Sequence, residues 1–495
     1  MKSKIFYLLV VLFFSAPVLK AQNSVQVYPQ ANNLKGYVFD GQLNLVKNLP
    51  VQGNTFTVNY TEFQSNKYYV VITSSSGYYY IGTSQEIAAN KKIQLTQSAP
   101  LPWISIANKT RLINAQNQYI NIHAHGGLTY SINADLLGII RLKLLGFNGF
   151  RLVFRSFDSS SNRLPGLYIK TGTPFNSTIS GFTDAYIDQY LVPKIQLAKL
   201  LGMYVILDHH DMFIHDKNVM NEYETNPNEY NAWLEMWKHL SLRFKNEPAI
   251  AIYEVQNEPG FKMSGDFVLK MHNDVIKLIR QNDTNHLIAF GHSWQNVEVQ
   301  MYLDKGIPYD PAHKLIFTVH HYLKPHQMNA GLTYKIGDAV KLEQKYQVPI
   351  WFGETGFKNN YSQPVQNMIE QWYDYADKNF ISTSIWRDDD IMGKHDPNGN
   401  ADYVNAMNIK KRIFLSESND WNIRCFRKDY TNGRNYIITN PNASSKAHLK
   451  INYPVINSIS ISSVSPDKQA VKIVDSKKGY AIIDGNFKSI EISLN

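Results

Sequence analysis

At 495 residues the chain is longer than one ordinary domain, and a barrel of about 250 residues with one or two small domains accounts for its length. Hydrophobic residues make up 44% of it, which allows a large core and excludes a disordered chain. The formal net charge is +9, falling to +6 without Lys2, Lys4 and Lys20, and no Lys/Arg run is interleaved with aromatics, so the charge reads as solvated surface and no nucleic acid is expected as a partner.

The first 21 residues have the form of a secretory signal peptide: Lys2 and Lys4, a short apolar run over 5–14, then Ser15, Ala16 and Ala21. The run is too short for a stable membrane anchor, and no later run reaches the ~18 apolar residues of a span, so an exported chain is expected. Cys425 is the single cysteine, which leaves no internal disulfide; an exported protein of this kind must be held by its core. Aromatics reach 13%, with 31 Tyr and 8 Trp, a composition shared by sugar-binding proteins and by large β-rich cores.

Residues 22–98 carry short strand-like runs separated by turn residues, among them Thr55-Phe56-Thr57-Val58 and Tyr69-Val70-Val71-Ile72, which predicts a small N-terminal β-sandwich. Ser98–Pro102 reads as a linker. From 103 to 416 strand and helix patterns alternate. Apolar strands are predicted at 120–123, 149–154, 204–207, 250–255, 287–290, 315–319, 350–353 and 382–385. Helices are predicted at 134–145, 186–201, 230–244, 266–279, 338–345 and 365–378. Eight strands alternating with helices predict a (β/α)8 barrel, an α/β fold whose active site lies at the carboxyl ends of the strands. Residues 420–495 return to strand patterning and predict a second small β-sandwich.

The strand ends carry the chemistry. The first runs into His123-Ala124-His125, the second holds Arg151, the third ends in Asp208-His209-His210 and the fourth in Asn257-Glu258-Pro259. The fifth runs into His292-Ser293-Trp294, the sixth into His320-His321-Tyr322, the seventh into Glu354 and the eighth into Trp386. Taken singly, each has a plain structural reading: a glutamate pairing a barrel arginine, a surface histidine, a core tryptophan. Together, at one end of many strands, they suit glycoside hydrolysis. Two carboxyls can serve as nucleophile and as acid then base, about 5–5.5 Å apart in a retaining enzyme. An arginine inside so apolar a run must be paired when buried, and a carboxylate at the barrel mouth is its natural partner. Arg151 would hold Glu354 ionised, and Tyr322 would donate a hydrogen bond to it. Asn257 is placed to hold a sugar 2-hydroxyl, His210 and His320 to bind hydroxyls or tune the acid, and Trp386 to floor the reacting sugar. His125 and Trp294 are further candidates for substrate binding.

On Arg151, His210, the Asn257-Glu258-Pro259 triplet, the His320-x-Tyr322 pair, Glu354 and Trp386, in this order at strand ends, the stretch from about Trp103 to Ser416 resembles glycoside hydrolase family 5, the cellulase family of clan A. The resemblance implies Glu258 as acid/base and Glu354 as nucleophile of a retaining β-glycosidase, with no cofactor and a β-linked carbohydrate as substrate. The chain departs from the family in carrying His209-His210 where relatives usually have Trp-His; the role is assigned to His210. The family's substrates include β-1,4-glucans, mannans, xyloglucan and glycolipids. An endo-type enzyme on a glucan or mannan is the leading expectation; exo action and glycolipid cleavage are the alternatives, and loops 156–181 and 211–228 would decide between open and walled clefts. The two sandwiches fall outside the resemblance and read as packing domains ahead of carbohydrate-binding modules.

Two other classes compete. His123 and His125, with His292, His320 and Asp388, would suit a zinc-dependent amidohydrolase-like barrel. That reading leaves Arg151, Asn257, Glu258, Tyr322 and Glu354 unexplained. A non-catalytic sugar-binding barrel would not need both glutamates.

Overall fold

The computed structural model describes residues 23–127, 132–154, 187–210, 222–225, 227–259, 263–291, 299–320, 333–355, 363–386, 411–428, 435–455, 457–465, 471–476 and 479–495. The expected signal segment, the loop at 156–181, most of 211–228, and Trp294, Tyr322, His292 and Asp388 lie outside them. The chain divides into two compact units, 1–96 and 97–495.

In the first unit, a four-stranded and a five-stranded sheet share one core. Alternation sets the inward face: in Asn23–Tyr28, Val25 and Val27 are buried between exposed neighbours. They meet Val38, Phe56, Val70 and Ile72. Two short helices that strand patterning did not predict complete the core with Phe63 and Ile87. Their start signals are local: Asn59 accepts from the Glu62 amide, and Thr83 with Glu86 forms a capping box.

In the second unit, eight parallel strands close into a barrel: His123–Gly127, Gly149–Phe154, Tyr204–His209, Ile250–Glu254, Leu287–Gly291, Leu315–His320, Ile350–Thr355 and Ser382–Trp386. Seven of the eight lie where the apolar runs predict them. The first begins at His123, where the predicted run ends. The preceding Tyr119–Ile120 leaves the barrel and pairs antiparallel with Phe414–Ser418. Helix Val299–Lys305, too short to show a clear period, joins the six predicted ones. Inside the barrel, Ala124, Ile206, Ile252, Ala289, Ile316 and Trp351 form an apolar plug, and Ile104, Leu112 and Ile120 extend it at the end where the strands begin. That end is packed shut, so the chemistry is confined to the carboxyl ends.

Beyond the barrel, a seven-stranded sheet combines Ile104–Ala107, Arg111–Asn114 and Tyr119–Ile120 with Phe414–Ser418, Ala447–Asn452, Tyr480–Gly485 and Val471–Ser476. A four-stranded sheet shares its core through Cys425, Ile438, Ile490 and Ile492. The C-terminal β layers thus recruit segments from before the barrel and from directly after it. They are tied to the barrel's helices by Asn452, whose amide donates to the Gly146 carbonyl at 3.1 Å, and by the Val455 amide on the Leu144 carbonyl at 2.7 Å.

A buried ionic cluster reinforces this junction. Arg412, fully buried, pairs with Glu370, with Asp374 at 3.2 Å and with Asp377 at 3.2 Å, all on helix Gln363–Asn379. Arg427 binds Glu370 at 2.9 Å. His123 stacks on Phe414 at 4.1 Å and lies 3.4 Å from Asp377. Burial pushes the Asp377 carboxyl up to about 8 against the pull of Arg412, with Asp374 and Glu370 adding to the rise. A folded-state value above the unfolded one means that the folded state holds an extra proton at neutral pH. The stability from this group is complete below the unfolded value near 4 and is lost as pH rises towards about 8. Asp377→Asn should therefore flatten the fall in unfolding midpoint between pH 4 and pH 8; thermal unfolding across that range gives the comparison, and an unchanged slope would remove Asp377 as its source.

Candidate active site

Alternate residues of a strand face opposite sides, so one inward residue fixes its neighbours. A Cβ on Gly126 would lie 3.1 Å from the Trp386 ring and 3.4 Å from the Arg151 Cβ, so Gly126 faces the axis with Arg151 and Trp386. Ala124 faces the same way, in the barrel plug. His123 and His125 therefore point outwards, His123 to Asp377 and Phe414 and His125 edge-on to Phe147 at 6.2 Å. This corrects the expectation that His125 binds substrate, and it removes from the axis both histidines on which the zinc reading rests. Of the pair on the third strand, His209 also faces outwards, bound to the Gln256 side chain at 3.0 Å and packed on Phe154 and Trp237, while His210 belongs to the site.

Arg151 is the centre. It is fully buried and meets carboxylates from three other strands. Its Nε and Nη2 grip Glu254 in a fork at 2.7 and 2.9 Å, Nη1 donates to Glu354 at 2.5 Å, and Nη2 donates to the Asn257 Oδ1 at 2.9 Å. Asp208 lies 3.2 Å from Nη2. The guanidinium also lies over the Trp386 ring, 5.3 Å from its centroid. The expected pairing of Arg151 with a mouth carboxylate holds, with Glu254 joining Glu354. Burial raises the cost of ionising Glu254, but the Arg151 charge and hydrogen bonds, with the nearby His320, outweigh it and hold the carboxyl at about 2.

His320 is the second cation. Its Nδ1 contacts Glu258 at 2.9 Å and Glu354 at 3.5 Å, and its Nε2 lies 3.5 Å from Glu254. Burial opposes its charge, yet Glu354, Glu254 and Glu258 raise it to about 10, so the ring is an imidazolium at neutral pH. His210 donates or accepts through Nδ1 with Asp208 at 2.8 Å and stacks on Trp386, centroids 4.6 Å apart at 15°.

The two glutamates expected to act sit at backbone irregularities. Glu258 has φ +38°, a left-handed conformation that costs a non-glycine residue roughly 1–3 kcal/mol. Glu354 faces the axis because of a bulge. Trp351 pairs with Thr318 and Glu354 with His320, so three steps on the seventh strand span two on the sixth. Without the extra residue, alternation from inward-facing Trp351 would turn Glu354 outwards. Gly353 permits the bulge: a Cβ there would lie 2.1 Å from the Thr318 Oγ1 and 3.1 Å from the His320 Nε2. As a result, one carboxylate oxygen each of Glu258 and Glu354 and a ring nitrogen of His320 lie within 4.8 Å of one another.

Of the predicted site residues, the structure brings Arg151, His210, Asn257, Glu258, His320, Glu354 and Trp386 together. Tyr322 and Trp294 are outside the described residues. Glu254 takes the plain structural part expected of a glutamate there, pairing a barrel arginine, and Asp208 is a member to which the strand-end reading gave no role. Each had a signal: Asp208 shares a strand face with His210, two residues on, and Glu254 shares one with Ile252.

The family model for Cellulase (glycosyl hydrolase family 5) matches residues 137–390. Endoglucanase H of Acetivibrio thermocellus is 24% identical over 212 residues, 39% of this chain and 22% of that protein. Endoglucanase A of Evansella cellulosilytica is 23% identical over 226 residues, 45% of this chain and 42% of that protein. The chain thus spans less than half the length of these curated relatives. Among solved structures, an endogalactoceramidase aligns over 80% of this chain and 100% of its own, at 14% identity and TM-score 0.55. Endo-glycoceramidase II from Rhodococcus sp. aligns over 78% and 99%, at 14% identity and TM-score 0.51. These likenesses concern the fold.

The bulge generates a direct test. Gly353→Ala should cost about 1–3 kcal/mol of stability, as overpacking does elsewhere, because the methyl must displace Thr318 or His320. Denaturant unfolding measures it, and wild-type stability would show that the bulge has room to spare.

Proposed function

The chain belongs to glycosyl hydrolase family 5, and from that premise we propose that it is a retaining β-glycoside hydrolase of endo type acting on a β-linked glucan or mannan. The observation that carries the mechanism is the approach of Glu258 and Glu354 oxygens to within 4.8 Å. Retaining enzymes hold their carboxyls about 5–5.5 Å apart and inverting ones about 6.5–9.5 Å, which leaves room for a water. The spacing supports double displacement.

In the first step the Glu354 carboxylate attacks the anomeric carbon while Glu258 gives its proton to the leaving oxygen. The C–O bond breaks and a glycosyl ester forms on Glu354. In the second, Glu258 takes a proton from water, the hydroxyl adds to the anomeric carbon, and Glu354 leaves as carboxylate. The product keeps the substrate's configuration. Arg151 neutralises Glu354 in the resting state and keeps it aimed. Because Asn257 accepts from Arg151 through Oδ1, its Nδ2 hydrogens are the donors left for a sugar hydroxyl. His320 orients Glu258 and Glu354 from a single ring nitrogen.

One observation favours a second reading, cleavage of glycolipids. Solved glycoceramidases align over 78–80% of this chain and 99–100% of their own. Export through removal of residues 1–21 belongs to the same proposal. Among the described residues no helix is long and apolar enough to cross a membrane.

A panel of β-linked glucans, mannans, xyloglucan, aryl glycosides and glycosphingolipids separates the readings by which substrate is turned over fastest. Following product anomers by NMR during the first turnovers should show the β-anomer; initial α-product would overturn double displacement. Glu354→Gln should lower kcat by at least about three orders of magnitude with folding intact. Near-normal turnover would take Glu354 out of the nucleophile role.

A further inference from the structure

Among the described carboxyls in contact with Arg151, Asp208 alone receives no hydrogen from it. It is fully buried, 3.2 Å from the Arg151 Nη2. That nitrogen carries two hydrogens, and both are committed, one to the Glu254 Oε1 and one to the Asn257 Oδ1. The contact with Asp208 is therefore a proximity of charge without a shared proton. Among the described residues, the Asp208 Oδ1 has no hydrogen-bond partner and Oδ2 has one, the His210 Nδ1 at 2.8 Å. A buried carboxylate ordinarily needs several donors. The charge count gives the same answer. The two cations facing Asp208, Arg151 and His320, are already balanced by Glu254 and Glu354 once Glu258 holds the proton of the acid, so a third anion would be uncompensated.

We infer that Asp208 is a neutral carboxylic acid whose O–H donates a hydrogen bond to His210 Nδ1, making it a positioning residue that holds His210 in the neutral tautomer bearing hydrogen on Nε2. The inference rests on the hydrolase reading for its consequence, not for its geometry. His210 then acts as a donor and lies flat against Trp386, suited to an acceptor oxygen of the sugar. Burial acts in the same direction, pushing the Asp208 carboxyl well above the usual range; the Glu254 and Glu354 charges add to the shift, and Arg151 and His320 oppose it.

A neutral acid and an amide present the same pattern to an imidazole, one donor and one acceptor, whereas a carboxylate does not. Asp208→Leu should therefore lower kcat/KM by about tenfold or more, and Asp208→Asn should rescue most of that loss without moving the pH profile. Infrared difference spectra of the full chain at neutral pH should show a carboxylic-acid C=O band in the wild type that is missing in Asp208→Asn. Circular dichroism and thermal unfolding exclude variants that fail to fold. Asn as inactive as Leu in a folded protein, or the absence of the acid band, would overturn the proposal. If no glycoside is hydrolysed by the wild type, the functional reading fails while the infrared band still reports the proton.

Discussion

A guanidinium cut off from water must be answered by protein groups, and Arg151 sets this requirement at the middle of the barrel. Glu254, Glu354 and Asn257, from two other strands, meet it through hydrogen bonds. Replacing a buried ion pair with apolar groups often leaves a protein as stable or more so, whereas deleting one partner costs about 3–5 kcal/mol. Such a cluster therefore contributes geometry more than stability. The planar fork fixes the Glu254 carboxylate, turns the Asn257 amide and anchors one oxygen of Glu354, so three residues around the cleft are oriented by one rigid group.

Regular strands would not suffice. Alternation can place only every second residue on the axis, at heights set by the pairing register. The two proposed catalytic glutamates both escape this lattice, Glu258 through a left-handed backbone and Glu354 through a bulge. His320, from the strand beside Glu354, reaches both carboxylates because the bulge brings Glu354 level with it. The close spacing of the acids thus comes from two local departures from ideal geometry, held in place by two buried cations.

The sequence disclosed the barrel well because its strands are continuous apolar runs, buried on both faces, separated by amphipathic helices. It also disclosed which residues stand at strand ends. What it could not disclose is which way each side chain points. Facing depends on register between strands, so Gly126 facing Arg151 settles the matter for His125, and no pattern within His123-Ala124-His125 does. Likewise Gly353 was visible as a glycine, but its bulge is defined only against Thr318 and His320. The boundary of the C-terminal layers was obscured for a related reason: Tyr119–Ile120 pairs with residues nearly three hundred positions away, and such non-local pairing leaves no periodic trace. Asp208 and Glu254 had detectable same-face neighbours, yet only their distances to Arg151 give them a place in the site.

The antiparallel clasp between Tyr119–Ile120 and Phe414–Ser418 bears on how the chain can be divided. In sequence, the barrel looks like a module that could be lifted out between two flanking pieces. In space, the strand entering the barrel and the strand following it are sewn into the same sheet as Ala447–Asn452, Tyr480–Gly485 and Val471–Ser476. Cutting after Ser418 would leave the edge of Phe414–Ser418 without its Ala447–Asn452 partner and bare a row of backbone amides and carbonyls, the kind of edge that recruits other chains. Grafting at that point would carry the barrel away with an open seam, so the barrel and these C-terminal layers separate only by breaking one continuous sheet.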